Sequence, residues 1–299
     1  MIDKSKKTAL MSNLQDIKRN IKHPYLNLPS NWSYLKSKGI GPFISCAEFY
    51  NPKGEIVLWE SRYHRKHHSN LDKSQGSTWW APGSAGWWIG ILFGIGSSLF
   101  ALGSIPFYFN FVGTAFDSIT FFTGSIFFTS AAYLQYIEST NAPRSIDSIK
   151  EKLHFLTFEP KRIDWWATAV QFIGTIFFNI STFNAIQSGL NTNQMNHLVW
   201  SPDAYGSICF LIASLLAWWE VSHALWSWKI KKISWWISIL NLIGSVAFGI
   251  SAIGAYVLPS TGLPQNIVIV NLGTFIGAIC FFIGGILLLP ERTKEKIEN

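Results

Sequence analysis

The stretch WWISILNLIGSVAFGISA, residues Trp235–Ala252, decides the fold of this 299-residue chain. It belongs to a longer run, Ile233 to Pro290, that holds no Asp, Glu, Lys or Arg. One crossing of a bilayer takes about 20 apolar residues in a helix. The run is long enough for two crossings, so the stretch predicts a membrane-spanning helix followed by a second one.

The composition of the whole chain agrees with a membrane protein. Hydrophobic residues make up 48% and charged residues only 14%, whereas a soluble domain carries about 25% charged residues. Six apolar segments are each expected to be a helix, because only a helix satisfies its own backbone in lipid. They are Trp87–Phe109, Gly113–Ile137, Trp165–Ser188, Ala204–Trp219 (extending through Val221–Trp226), Trp235–Leu258 and Ile267–Leu289.

The positions of Lys and Arg predict the orientation. Thirteen of the 24 precede the first segment, and the others fall between segments two and three, between four and five, and after the sixth. The other three connections hold none. Positive charge marks the cytoplasmic side, so we expect a multi-pass protein of the cell (inner) membrane with both termini inside. We attribute the net charge of +7 to contact with the cytoplasmic surface of the membrane. No nucleic-acid partner is expected.

The odd segments repeat one pattern, WW-x7-G-[ST]-x2-F. It occurs at WWIGILFGIGSSLFALGS (Trp87–Ser104), WWATAVQFIGTIFFNIST (Trp165–Thr182) and in the stretch that opens this section. The even segments align as SITFFTGSIFF from Ser118, SICFLIASLLA from Ser207 and AICFFIGGILL from Ala278. The sequence therefore predicts three parallel helical-hairpin repeats. The expected boundaries are 1–85 (N-terminal segment), 86–138 (repeat 1), 139–164 (linker), 165–228 (repeat 2), 229–290 (repeat 3) and 291–299 (tail).

The repeated small residues and tryptophans have two interpretations each. Gly96, Gly174 and Gly244 occupy one repeat position, where they favour close helix packing, with a pore lining as the alternative. Ile89 is expected to face away from this glycine stripe. The tandem tryptophans are typical of an aromatic belt at the headgroup level, with stacking on a ligand as the alternative.

Few polar side chains lie within the segments. The neutral amides are expected to hydrogen-bond between helices, and the charged or titratable residues are expected near the interfaces. These candidate residues are Asp117, Gln171, Asn179, Glu220, His223 and Asn241.

The N-terminal segment predicts two local structures. An amphipathic helix on the anionic inner leaflet is indicated by apolar residues at helical spacing beside basic ones, namely Leu10, Leu14, Ile17 and Ile21. Asn51-Pro52-Lys53-Gly54 is a turn sequence between two strand-like runs, which predicts a β-hairpin.

The cluster Arg62-Tyr63-His64-Arg65-Lys66-His67-His68 admits two interpretations. Three histidines suggest a metal site, but their cationic neighbours favour a basic patch against lipid headgroups. The chain holds no HExxH, GxSxG or P-loop motif. We therefore expect no catalytic residue, no cofactor and no bound metal.

The G-[ST]-x2-F stretches and the run Gly273–Gly285 resemble the YrhK-like family of bacterial membrane domains. The resemblance extends from Trp87 to Glu291. It implies a helical-hairpin membrane domain of uncharacterised role and brings no catalytic residue. The sequence thus favours a structural or regulatory bundle. The alternatives are a transporter or channel for a small solute or ion and, third, a membrane-embedded enzyme.

Overall fold

The computed structural model describes residues 26–29, 31–67, 78–144 and 153–294. Its main elements are three strands and seven helices. They are β1 (Ser33–Ile40), β2 (Phe43–Tyr50), β3 (Ile56–Glu60), α1 (Ser61–His67), α2 (Ala85–Gly103), α3 (Pro106–Thr140), α4 (Ile163–Asn184), α5 (Thr192–Ser222, with a π-helical stretch at Met195–Trp200), α6 (Ile233–Gly254) and α7 (Ile267–Lys294).

Five of these helices, α2, α3, α5, α6 and α7, are long and apolar enough to cross a membrane. The remaining long helix, α4, is 22 residues long but is not among them. Its amides Gln171, Asn179 and Asn184 lower its mean hydropathy. The fold is therefore that of a multi-pass helical membrane protein with a small sheet before its first long helix.

The three strands form one antiparallel sheet in the order β1-β2-β3. The predicted hairpin is present, and the side chain of Asn51 closes its turn by accepting from the amides of Lys53 and Glu55 at 3.0 and 2.9 Å. Strand β1 was not predicted, because its sequence SYLKSKGI is too exposed and too polar to show an apolar face. Leu26, Ala47, Phe49 and Trp59 form the core on this sheet.

The long helices form a closed ring. Each packs against its neighbours in the sequence, and α7 returns to pack against α2. Phenylalanines fill the middle of this ring. The rings of Phe128, Phe210 and Phe281 lie 5.6–6.4 Å apart, centroid to centroid, and Phe281 stacks on Phe248 at 5.3 Å. A second layer joins Phe248 to Phe100 and Phe178 at 6.1 and 6.0 Å.

Helix ends differ from the expected ones where backbone chemistry overrides hydrophobicity. The first long helix ends at Gly103, not Phe109, because Pro106 begins the next helix and has no amide hydrogen to continue the previous one. That next helix breaks at Gly113, whose φ of +78° suits glycine. Helix α5 ends at Ser222, because His223 adopts a left-handed φ of +56°.

The structure also corrects the predicted orientation of Ile89. This residue is fully buried in the main core instead of facing away from it. Helix α2 contacts both α3 and α7, and Gly90 packs so closely on the carbonyl of Gly285 that a Cβ would lie 2.7 Å from that oxygen. A helix in a ring buries two faces, and Ile89 belongs to the second.

Candidate functional site

The most unusual feature of the structure is a layer of buried charges at the end of the ring that carries α1. Helix α1 follows β3 without a loop, and its side chains Arg62, Arg65 and Lys66 are all buried. Burying an unpaired charge is strongly unfavourable. These cations therefore require buried partners.

Each of the three cations pairs with a glutamate from a different helix. Lys66 Nζ lies 2.6 Å from Glu138 Oε2 on α3. Arg65 donates to both carboxylate oxygens of Glu220 on α5, at 2.8 and 3.3 Å. Arg62 does the same with Glu291 on α7, at 2.6 and 3.2 Å.

A fourth acid and a fourth base complete the layer. Arg65 Nη1 also lies 2.6 Å from Asp164 Oδ2 at the start of α4, and Arg162 pairs with the same carboxylate. The layer thus joins four cations to four carboxylates and is neutral. We call it the ionic layer, and its members are Arg62, Arg65, Lys66, Arg162, Glu138, Asp164, Glu220 and Glu291.

The carboxylates hold the α1 cations in their charged state. Burial lowers the pKa of the Arg65 guanidinium, but the nearby Glu220 and Asp164 outweigh it and raise that pKa above its ordinary value. The pKa of Arg62 is likewise raised, because Glu291 outweighs the effect of burial. These side chains are enclosed by acids, so they do not form the expected patch against lipid headgroups.

A second polar cluster joins the sheet to the end of α5. Ser45 Oγ lies 2.8 Å from His223 Nδ1, His223 Nε2 lies 3.4 Å from Glu60 Oε1, and Lys232 Nζ lies 2.8 Å from both Glu60 oxygens. Burial alone would raise the pKa of Glu60, but the hydrogen bonds from His223 and Lys232 lower it to about 2. Burial lowers the pKa of His223.

The order Ser45–His223–Glu60 has the chemistry of a nucleophile, a base and an acid. Ser45 is only 1% exposed, however, and Lys232 holds both oxygens of Glu60. A substrate could not reach this serine. The cluster is therefore a contact between the sheet and the bundle. Glu220 pairs with Arg65, whereas His223 contacts Ser45 and Glu60, so these two residues belong to different clusters.

A small polar cavity of about 20 Å³ lies beneath α1, and a second of about 10 Å³ adjoins it. Both are lined by Arg62, by the amides of Gln135, Gln171 and Asn241, and by Phe281. Within the described residues, the Gln135 side-chain oxygen has no hydrogen-bond partner. A volume of this size has room for about one water, so the chamber formed by the two cavities is polar but narrow.

The other predicted residues are not members of the ionic layer. Asn179 Nδ2 donates to Thr129 Oγ1 at 2.8 Å and links α4 to α3, as expected for an interhelical amide. Asp117 lies buried in α3 near Gly113, far along the helix from Glu138. His64 contacts the carbonyl of Pro143, and His67 that of Tyr63. His68 and the predicted helix at Leu10–Ile21 lie outside the described residues.

The glycines of the repeated pattern lie in close contact with the phenylalanines. A Cβ on Gly96 would lie 2.9 Å from Phe128 Cδ2, and one on Gly174 would lie 2.8 Å from Phe210 Cδ1. Gly244 faces Cys280 and Phe281, both at 3.1 Å. These contacts place Phe128 at the position equivalent to Phe210 and Phe281. The alignment from Ser118 had placed Phe121 there instead.

The corrected alignment begins at Ser125 and reads SIFFTSAAYLQYIE (125–138), SICFLIASLLAWWE (207–220) and AICFFIGGILLLPE (278–291). Each segment ends in one of the three glutamates. Sequence reasoning missed Glu138 because the alignment was displaced. Arg62, Arg65 and Lys66 were named but assigned to a lipid-facing patch, because no pattern showed that α1 enters the ring.

The tandem tryptophans donate hydrogen bonds to the loops that precede α2, α4 and α6. The first indole of each pair is buried and donates to a carbonyl eight residues earlier: Trp87 to Trp79, Trp165 to Thr157 and Trp235 to Ser227. The second donates to a carbonyl six residues earlier. The first tryptophan of each pair therefore fixes the loop before its helix, and the belt interpretation stays a prediction.

Comparison of the chain with protein-family models, with curated proteins and with solved structures finds no significant match. Function must accordingly be argued from the geometry.

Proposed function

We propose that the chain is a structural or regulatory membrane protein that holds its sheet at the cytoplasmic mouth of a closed six-helix bundle. The ionic layer carries this proposal. Three cations on one short helix meet three glutamates from alternate helices of the ring, so α1 fits this mouth in one register. Such a contact fixes the sheet and α1 (together called the sheet module) to a membrane bundle.

The proposed architecture has six spans, with α4 as the sixth, in three parallel hairpin repeats. Three sets of equivalent contacts support it: the glycine–phenylalanine contacts, the glutamates and the bonds of the tandem tryptophans. The helix α4 packs between α3 and α5 in the ring. There its polar side chains face other helices, as Asn179 faces Thr129. The resemblance to the YrhK-like family remains a prediction.

The proposed topology places both termini on the cytoplasmic side of the inner membrane. It rests on the distribution of Lys and Arg. A cysteine introduced at Asn193 should react with an impermeant maleimide only from outside, and one introduced at Ser148 only from inside. A reversed result at either position would disprove the six-span model.

The packing of phenylalanines along the axis favours a bundle without a conduit. Purified protein in liposomes should pass neither K⁺, Cl⁻ nor a small sugar above the leak of empty vesicles.

Hydrogen exchange should show that β2 and β3 are protected in the intact chain. An Arg65→Ala variant should lose this protection because the sheet module detaches from the bundle. Substantial solute flux through the intact protein would disprove the proposal.

A transporter or channel for a small solute or ion is the second candidate, and the polar chamber favours it. The amides of Gln135, Gln171 and Asn241 lie beneath α1, where a solute would pass if α1 moved away. In that case Arg65→Ala should cause flux that the intact chain lacks. Replacing Asn241 with Leu in the same variant should then abolish it.

A further inference from the structure

Three loops at the α1 end of the bundle expose large aromatic side chains at equivalent positions. Trp80, Phe158 and Trp228 are 66%, 70% and 72% exposed. Each lies seven residues before the first tryptophan of α2, α4 or α6 and packs on the ring of that tryptophan. The centroid distances are 5.2 Å to Trp87, 5.2 Å to Trp165 and 5.8 Å to Trp235. A buried tryptophan that is itself hydrogen-bonded to the loop therefore supports each exposed ring.

An exposed ammonium group accompanies two of these rings, and another lies over a neighbouring tryptophan of the remaining loop. Lys161 and Lys231 lie three residues beyond Phe158 and Trp228, at matching positions of their loops, and both are exposed. The first loop has Gly83 at that position, and there Lys294 from the end of α7 lies 5.3 Å from the ring of Trp79. The cation is thus supplied from another helix where the loop lacks its own.

We propose that these three loops are anchors that bind the anionic inner leaflet, with the aromatic rings between the headgroups and the acyl chains. We call them the anchor loops, residues 78–84, 153–162 and 225–232. Further exposed apolar side chains in them are Trp79, Leu153, Phe155, Leu156, Leu225, Trp226 and Ile230. Amphipathic rings favour this depth, and lysines beside them are attracted to anionic lipids.

The arrangement around the ring favours a lipid surface over a protein partner. The anchor loops precede α2, α4 and α6, which alternate with the other helices around the closed ring. A protein docks on one patch, whereas a bilayer surrounds the bundle and meets all three loops at one level. The exposed Trp88 and Trp236 continue the same apolar surface into the helices.

The anchor loops also set the depth of the ionic layer. Asp164 directly precedes Trp165, and a Cβ on Gly86, next to Trp87, would lie 3.8 Å from Glu138 Oε1. The buried ion pairs therefore lie level with the anchor loops. At this depth α1 is surrounded by protein and, beyond it, by the headgroup region instead of hydrocarbon.

The test places an environment-sensitive fluorophore at each ring in turn, through Trp80→Cys, Phe158→Cys and Trp228→Cys in full-length protein without its native cysteines. Leu225→Cys, which keeps the backbone carbonyl that accepts from the buried Trp218 indole, repeats the measurement should one variant unfold. The exposed hairpin residue Lys53, changed to Cys, is the aqueous control. Vesicles contain phosphatidylcholine, alone or with phosphatidylglycerol.

Lipids brominated near the headgroup should quench all three anchor labels, and aqueous iodide should not. The Lys53 label should show the reverse. Phosphatidylglycerol should strengthen the lipid quenching at Phe158 and Trp228, and Lys161→Gln with Lys231→Gln should remove that gain. If lipid composition and these lysines make no difference, the assignment of the ammonium groups is wrong.

Iodide quenching at any anchor label as strong as at Lys53 would overturn the proposal. So would labels that are shielded in native membranes but open to iodide in vesicles of lipid alone, since a second protein would then cover them. Shielding that disappears when each vesicle holds one chain would assign the surface to a second copy. The depth measurement does not depend on which side of the membrane the loops face, which the labels at Asn193 and Ser148 determine separately.

Discussion

Arg65 and Glu220 form a two-point ion pair in the middle of the bundle's mouth, with N···O distances of 2.8 and 3.3 Å. Both side chains are almost completely buried. The same guanidinium nitrogen also reaches Asp164. Because Arg65 Nε also lies 3.9 Å from Glu138 Oε2, this residue joins α1 to three helices at once.

Replacing Arg65 with Ala should destabilise the protein strongly. Removing one partner of a buried pair costs about 3–5 kcal/mol, because the other charge stays buried without compensation. We expect a clear fall in the thermal unfolding temperature in detergent. The matched control is Lys36→Ala, which breaks an exposed pair with Glu48, worth about 0–1 kcal/mol. Equal effects of the two changes would contradict the buried ionic layer.

The pair between Arg62 and Glu291 should show strong coupling in a double-mutant cycle. Glu291→Leu alone leaves the Arg62 guanidinium without its acceptors, so we expect a large loss of stability. Arg62→Met in the same chain removes the stranded charge. Because a hydrophobic pair often replaces a buried ion pair at little cost, the double variant should recover much of that loss. Additive losses, measured by unfolding in denaturant, would indicate that the two residues do not interact.

Glu60 should make the docking of the sheet sensitive to acid. Its pKa is lowered from 4.5 to about 2 in the folded chain. The ionised carboxylate therefore stabilises the fold fully above about pH 4.5, and this contribution is lost as the pH falls toward 2. The unfolding temperature of the intact chain should exceed that of Glu60→Gln by a constant amount near neutral pH. The difference should shrink within that window, and a difference independent of pH would refute the assignment.

The sequence predicted the apolar helices and the hairpin at Asn51–Gly54, because hydrophobic runs and turn residues are local signals. It also predicted Glu220 as a candidate site residue, because a charge next to an apolar segment is easily recognised. It could not predict that Arg65 meets Glu220, since these residues are 155 positions apart and the contact depends on how the ring closes. Ile89 shows the same limit. One periodicity describes one buried face, whereas a helix in a closed ring buries two.

At each of the repeated glycines one added methyl group should lower the stability of the ring. Gly96→Ala and Gly174→Ala would place a Cβ 2.9 and 2.8 Å from a phenylalanine ring, and overpacking of this kind costs about 1–3 kcal/mol. Gly244→Ala should cost less, since its closest contact is 3.1 Å. The same change at Gly249 in α6 meets no atom within 4 Å. It should stabilise the helix by up to about 1 kcal/mol, the difference in helix propensity between alanine and glycine.

Thermal unfolding of these four variants in one detergent measures the predicted order directly. All four changes add the same methyl group within a helix, so differences in propensity cancel and packing alone separates them. Ile95, which precedes Gly96 and is exposed, offers a further control, because Ile95→Ala should change stability little in a lipid-facing position. If Gly249→Ala proved as harmful as Gly96→Ala, the close contacts between the glycines and the phenylalanines would not explain the stability of the ring. The matching of Phe128 with Phe210 and Phe281, and with it the assignment of Glu138 to the ring of glutamates, would then lose its support.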